Sequence, residues 1–291
     1  MVPFELAEPA SLSEAIGLLD CDDPAVRPIA GGTALMLMMK AGVFQPRRLV
    51  SLRGLGGGLA DIHIGPGGEL RVGALVALSD VERSRAVRGG WPVIGRALWT
   101  LSNVRVRNVA TVGGHLAHAD PHMDLPPVLI ALGARVTVAG RAGERTLPVA
   151  ELSRGYYETA LRRDELITAL TVPPLGRRRA AYVKCTTRSA DDWPALGVAV
   201  CLDVEDGMIR SALVAIGAAA ETPLRLHGAE QALCGARADG AALRRAGDAA
   251  ADELTVAGDA HGSADYKKQL ARVYVGRAVR AALAADAVRE H

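Results

Sequence analysis

The chain has 291 residues, 49% hydrophobic and 3% aromatic, with a formal net charge of +2. That length accommodates two or three packed units, and the apolar share excludes a disordered chain. The near-neutral charge and the scarcity of rings argue against a polyanionic partner and against nucleic acid, which needs a basic groove and, for single strands, stacking platforms. Residues 1–5, Met-Val-Pro-Phe-Glu, have neither the basic nor the apolar region of a signal peptide, so no leader is expected. No apolar run reaches the length of a transmembrane span. Ser11 precedes Leu12, Ala15, Ile16, Leu18 and Leu19, with Glu14 at the third helical position, a capping box before an amphipathic helix. Residues 26–30 predict a strand, 35–40 a helix and 48–52 a second strand, and the glycine run at 56–58 breaks the chain. Alternation at Ile62, Ile64, Leu70 and Val72 around the turn at 65–68 predicts a hairpin. A helix is predicted over 79–93 with a break at Gly89 and Gly90, then a short helix and strand within 128–138, and a strand over 165–172 ended by Pro173 and Pro174. Residues 181–183, 195–204 and 208–217 read as strands, the last two joined by a turn at Asp206 and Gly207. From about Thr222 the sequence turns helical, ending in a helix over 270–288 with Leu270, Val273, Tyr274, Ala278, Ala281, Ala285 and Val288 on its apolar face. The expected fold class is α+β, with units at 1–55, 56–175 and 176–291.

Two glycine-rich patches carry the chemistry: Ala30, Gly31, Gly32, Thr33 and Ala34, and then Thr111, Val112, Gly113, Gly114 and His115. Neither fits the G-x-G-x-x-G or G-x-x-x-x-G-K loops. A glycine pair nevertheless lets backbone N–H groups approach an anion with no Cβ in the way, and a helix start supplies unpaired N–H groups. The two patches together could hold the two halves of one pyrophosphate, although glycine pairs alone favour ordinary tight turns. Asp120 and Asp124 flank Pro121 and read alone as an Asx turn and a helix N-cap. His115, His118 and His122 with these aspartates have metal-ligand chemistry, but Pro121 interrupts any helix that would align them, and no metal site is expected. Lys184 and Arg188 fall on a predicted strand, where isolated basic residues usually face solvent, and the run Arg177, Arg178, Arg179 reads as a solvated loop. Cys21, Cys185, Cys201 and Cys234 form no C-x-x-C pair, so neither a disulfide framework nor a cluster site on this chain is expected, and the thiols read as reduced and mostly structural in a cytoplasmic protein. No G-x-S-x-G elbow occurs.

Residues 105–127 read R-V-R-N-V-A-T-V-G-G-H-L-A-H-A-D-P-H-M-D-L-P-P. This string resembles the pattern R-N-x-A-T-x-G-G-N-x-x-x-A-D-P-x-x-D-L-P of the FAD-binding medium subunits of the molybdenum hydroxylases, the group that includes carbon monoxide dehydrogenase and xanthine dehydrogenase. The first patch resembles the family's A-G-G-(T/H)-(D/S)-L, and a third stretch, from Tyr182 through Lys184 and Arg188 to Asp192, Trp193 and Pro194, also matches. The chain departs from the pattern at Ala34, where Asp or Ser is common, and at His115, where Asn is usual. The resemblance implies a flavoprotein whose FAD lies noncovalently between two α/β subdomains of vanillyl-alcohol-oxidase-like fold, followed by a small antiparallel sheet and helix bundle. It implies cofactor contacts from both patches, from Asp120 and Asp124, from Lys184 reaching over from the C-terminal unit, and from apolar Leu101 and Ile167. It further implies an oxidoreductase subunit with no catalytic residue of its own, in a cytoplasmic heterooligomer, a dimer of heterotrimers. A large subunit holds molybdopterin, and a small subunit holds two 2Fe–2S clusters that pass electrons to the flavin and on to an external acceptor. The missing cysteine cluster argues against the benzoyl-CoA-type branch, and Thr33-Ala34 in place of His-Ser lowers carbon monoxide among the candidate substrates, beside purines, aldehydes and N-heterocycles. The competing readings are a free-standing FAD oxidoreductase and a nonenzymatic binding protein with a degenerate FAD pocket.

Overall fold

A computed structural model describes residues 2–256 and 258–284. The first unit is β1 (Glu5–Ala7), α1 (Leu12–Leu18), β2 (Val26–Ile29), α2 (Leu35–Lys40) and β3 (Arg48–Ser51), with the strands parallel in the order β1-β3-β2. β1 has no readable period, because it is three residues long and largely exposed. The capping box forms: the Glu14 amide donates to Ser11 Oγ, and Glu14 Oε2 accepts from the Ala10 amide at 2.8 Å. Since β2 runs parallel to β3, the first glycine patch lies at the carboxyl end of a strand and directly before α2.

The second unit is a five-stranded antiparallel sheet with helices inserted between its second and third strands in sequence. It runs β4 (Ile62–Ile64), β5 (Leu70–Gly73), α3 (Leu78–Arg83), α4 (Arg85–Gly90), α5 (Pro92–Trp99), α6 (Val104–Arg107), α7 (Val112–His118), α8 (Leu125–Ala131), β6 (Arg135–Gly140), β7 (Gly143–Pro148), a 3-10 turn, β8 (Ser153–Gly155), β9 (Glu158–Thr159) and β10 (Leu166–Val172). The sheet order is β4-β5-β10-β6-β7, with β8 and β9 a separate pair. The region 79–93 is three helices, not one broken at Gly89 and Gly90. Ser84 stops the chain because its hydroxyl caps α4, and Pro92 opens α5 at a first-turn position where its missing N–H costs nothing. Gly89 and Gly90 are themselves helical. Buried Trp91 anchors this segment by donating its ring N–H to the Pro173 carbonyl at 2.7 Å.

The third unit is β11 (Arg179–Cys185), β12 (Leu196–Glu205), β13 (Met208–Gly217), β14 (Leu224–Arg225), α9 (His227–Leu233), α10 (Gly240–Glu253) and α11 (Ala264–Ala284), its antiparallel sheet ordered β11-β12-β13-β14. α10 and α11 cross closely at Gly247, where a Cβ would lie 2.1 Å from the Arg272 carbonyl oxygen. The apolar face of α11 is partly as expected: Ala278 is buried and Leu270 and Tyr274 pack against the core, whereas Val273 and Ala281 are exposed and the buried stripe continues through Ala271, Val275, Val279 and Ala282. Alanines on every side of this helix blur its period. Ala285 and Val288 lie outside the described residues.

Every residue of α8 is buried, and its far side packs on β12 and β13. The largest core cluster accordingly runs from α3, α5 and α8 into Ala199, Cys201 and Ala215 of the third sheet. The first unit packs through Ala15, Ile16, Leu19 and Val50 against Ala139 and Leu166 of the second. No described helix is long and apolar enough to cross a membrane. Cys201 alone among the four cysteines is buried, while Cys21 and Cys234 are exposed, so the thiols are less structural than their sequence context predicts.

Candidate functional site

A cavity of about 490 Å³ opens where the three units meet. Of the residues expected to hold a cofactor, Ala30, Gly31, Gly32, Thr33, Ala34, Leu101, Thr111, Gly113, Gly114, His115, Asp120, Asp124 and Ile167 line it; Val112 and Lys184 do not.

The first patch is an open loop. Gly32 has φ +70°, the left-handed region that glycine enters without strain. A Cβ on Gly31 would lie 2.1 Å from the Val109 carbonyl oxygen, so a side chain there would force the two patches apart. Ala34 stands at the α2 N-cap and makes no side-chain cap. Among the described residues, the amides of Gly31, Gly32, Thr33 and Ala34 have no acceptor in the fold. Beside them the Arg27 guanidinium lies over the Phe44 ring, 5.7 Å from its centroid.

The second patch is built differently. Thr111 caps α7 by accepting from the Gly114 amide, and the amides of Val112, Gly113 and His115 donate to the carbonyls of Val76, Ala74 and Thr111. The expectation that both glycine pairs offer free amides is therefore corrected: those at 112–115 are engaged by the bridge between Thr111 and Ala77 and by the helix cap. Gly113 is a packing glycine, since a Cβ would lie 2.7 Å from that of Ala74. Val112 is wholly buried in the core. The patch instead presents the Thr111 hydroxyl, the bare face of Gly114 and the His115 ring. His115 Nε2 is buried with no hydrogen-bond partner among the described residues. Burial, with repulsion from His118, lowers its pKa to about 4, so the ring is neutral at ordinary pH. An unpartnered buried polar atom on a cavity wall costs free energy until a ligand satisfies it. Free amides at one patch and this donor–acceptor ring at the other fit the anionic and polar groups of FAD.

Past α7 the chain turns through Ala119 (φ +53°) into Asp120, which accepts from the His122 amide at 2.9 Å and from the Tyr157 hydroxyl at 3.0 Å. The Asx turn and the cavity-lining position thus coexist. Asp124 occupies the N-cap position of α8 but does not cap it. Its carboxylate accepts from the Tyr182 hydroxyl at 2.6 Å and from Lys184 Nζ at 3.0 Å. Burial pushes the Asp124 pKa up against the opposing pull of Lys184. Lys184 is not solvent-facing: it is buried and also donates to the carbonyls of Thr100 and Asp192, bracing Asp124 from behind. Arg188 lies beyond β11 and is exposed. The turn at Leu101 and Ser102 (φ +52°) is pinned by buried Arg107, which donates to both carbonyls and to Glu82. Sequence reasoning missed the pairing of Arg107 with Glu82, of Tyr157 with Asp120 and of His122 with Asp259, because each spans a separation that no local spacing encodes. The His122 ring meets Asp259 and stacks on Trp193, 5.5 Å between centroids and 10° from parallel. Among the described residues no group of His, Cys, Asp and Glu is arranged to hold a metal ion.

Residues 2–175 match the family described as FAD binding domain in molybdopterin dehydrogenase, and residues 181–282 match the CO dehydrogenase flavoprotein C-terminal domain. The chain is 31% identical over 286 residues to the carbon monoxide dehydrogenase medium chain of Hydrogenophaga pseudoflava, covering 98% of this chain and 99% of that one. It is 31% identical over 275 residues to the nicotine 6-hydroxylase medium subunit of Paenarthrobacter nicotinovorans, covering 94% and 95%. Its fold superposes on the structure of carbon monoxide dehydrogenase from Hydrogenophaga pseudoflava with a TM-score of 0.93 at 33% identity, covering 98% of this chain and 99% of that chain. It superposes on quinoline 2-oxidoreductase from Pseudomonas putida with a TM-score of 0.90 at 30% identity, covering 97% of each chain.

Proposed function

Because the chain belongs to the FAD-binding medium subunits of the molybdenum hydroxylases, we propose that its FAD lies in the cavity between the two glycine patches, where it accepts electrons from two 2Fe–2S clusters of a small partner subunit. The chain is an oxidoreductase subunit and carries FAD; the molybdenum and iron–sulfur cofactors of this family sit on other subunits. FAD supplies the exchange between single-electron donors and an external acceptor. The residues of this chain bind it, orient it and shield it.

The observation that carries the placement is the joint one at the cavity wall: the free amides of Gly31–Ala34 and the unpartnered Nε2 of His115. In this reading the first patch and the Thr111 hydroxyl hold the pyrophosphate, and Gly114 leaves room for it. Asp120 and Asp124 contact the polar part of the cofactor, with Leu101 and Ile167 beside it. Lys184 acts at one remove, by fixing Asp124. The division at 55/56 and 175/176 belongs to the same reading, supported by the separate sheets. So do the partners, a large molybdopterin subunit and the small iron–sulfur subunit in a dimer of heterotrimers, and a cytoplasmic site of action, which the free thiols support.

An anaerobic mixing experiment tests the division of labour. The isolated FAD-loaded chain is expected to keep its colour with aldehydes, purines, N-heterocycles or carbon monoxide, and to bleach with dithionite or a reduced iron–sulfur partner. Rapid bleaching by any of those substrates alone would favour a free-standing oxidoreductase.

A further inference from the structure

A string of hydrogen-bonded ionisable groups runs from the cavity wall to the surface, and holding a cofactor does not require it. Tyr157, Asp120 and His122 line the cavity, as Asp124 does. The Tyr157 hydroxyl donates to Asp120 Oδ2, and His122 Nδ1 meets Asp120 Oδ1 at 3.1 Å. His122 Nε2 meets Asp259 Oδ2 at 2.8 Å. The same Asp259 oxygen accepts from Lys267 Nζ at 2.5 Å, and Lys267, itself 1% exposed, also donates to the Ala218 carbonyl. Asp259 is the outlet, with 29% of its side chain open to solvent.

Electrons that leave an iron–sulfur cluster bring no proton, yet full reduction of FAD at neutral pH takes up two electrons and one proton. We propose that His122, recharged through Asp259, delivers that proton to the cavity; this rests on the electron-transfer reading above. An N–H bond of the His122 ring breaks on the Asp120 side as the proton moves by Asp120 toward the cofactor. The Nε2–H bond of that charged ring forms beforehand, when the neutral ring, protonated at Nδ1, takes up at Nε2 a proton that reaches Asp259 from solvent. The electrons come from the clusters, and when the external acceptor removes them the proton returns by the same path.

The groups that face His122 suit this role. Asp120 and Asp259 engage its two nitrogens, with Lys267 and the His261 amide on Asp259, Tyr157 and the field of His118 on Asp120, and the rings of Trp193 and His261 against its faces. Burial opposes a charge on the ring, but the hydrogen bonds and charges of the two carboxylates outweigh it, so the His122 pKa is raised. Asp259 is held at about 2, because Lys267 and His122 overcome the effect of its burial. The two carboxylates, one inside and one outside, thus favour a proton on the imidazole between them. Lys267 already neutralises Asp259, and a buried ionic network is a poor substitute for apolar packing if stability were its only purpose.

The test uses the full chain, loaded with FAD and reduced anaerobically by methyl viologen radical, which supplies electrons without protons. Rates are followed across the imidazole titration range in H2O and D2O for wild type, H122Q and D259N. Both variants should slow reduction roughly ten- to hundredfold on the alkaline side, with a changed pH profile and solvent isotope effect. Added imidazole should restore part of the H122Q rate. Wild-type rates in both variants, or slowing equal at all pH values with an unchanged isotope effect, would overturn the relay. In the FAD-free chain, the His122 ring signals in NMR should titrate above an ordinary histidine in wild type and lower in D259N. Titration indifferent to D259N would also overturn it. Failure of the wild-type chain to take up FAD would overturn the function reading and the relay together, whereas bound FAD with unaffected variants would sink the relay alone.

Discussion

The two glycine patches look interchangeable as strings, a glycine pair beside a threonine before a helix, yet the fold uses them in opposite ways. At the first, the chain leaves a parallel strand and its amides stay free, with Gly32 in the left-handed region. At the second, the amides are tied to Ala74, Val76 and Thr111, and what faces the cavity is side-chain chemistry, the Thr111 hydroxyl and the His115 ring. A glycine pair therefore signals close approach, and what approaches differs: the Val109 carbonyl at Gly31, and Ala74 just after β5 at Gly113.

The largest expected effect lies behind the second patch. Lys184→Ala leaves the Asp124 carboxylate buried without its cation and should lower stability by about 3–5 kcal/mol in chemical denaturation. FAD affinity, measured after refolding is verified, should fall less than in the glycine variants below. An unchanged denaturation midpoint would mean that Asp124 needs no brace.

Gly31→Ala comes next. Its Cβ would meet the Val109 carbonyl, so the patches must separate, at a stability cost of about 1–3 kcal/mol with loss of FAD. Gly114→Val sharpens the contrast, because a Cβ there meets only Thr111 Oγ1 at 3.0 Å and Ala30 Cβ at 3.8 Å before it enters the cavity. It should weaken FAD binding by about 1–3 kcal/mol, read by flavin fluorescence, with a melting temperature close to wild type. Equal behaviour of the two variants would erase the difference between a glycine pressed on backbone and a glycine that faces the cavity.

At neutral pH the smallest effect belongs to His115, whose contribution shows only on acidification. Its pKa falls from 6.5 to about 4 in the fold, so the unfolded chain binds more protons in that interval and stability drops as pH falls through it. The slope reaches about 1.4 kcal/mol per pH unit, and above 6.5 the contribution is complete. His122, whose pKa is raised, acts with the opposite sign, so the difference between wild type and His115→Asn isolates the effect. The variant should flatten this part of the pH–stability curve while retaining FAD, since an amide also offers a donor and an acceptor. A curve identical to wild type would show that His115 is not buried as described.

These contrasts also mark how far the sequence could be read. The capping box at Ser11 and Glu14, the turn at Asp206 and Gly207 and the strand over 165–172 were legible because each is written within a few residues. The cavity wall was legible through residues that match the family string. The engagement of the second patch was not, because Ala74 and Val76 lie across a bridge with no spacing rule. Lys184 on its own reads as a surface lysine for the same reason: its partner Asp124 sits on another unit. On α11 only Val273 and Ala281 fall off the expected face, because alanine carries little apolar contrast.

The central claim is one FAD held without a covalent bond between the patches. Acid denaturation of the purified full chain, followed by chromatography of the supernatant, tests it directly. One equivalent of released FAD per chain is expected. Release of FMN, flavin retained on the precipitated polypeptide, or a chain that never takes up flavin would contradict it.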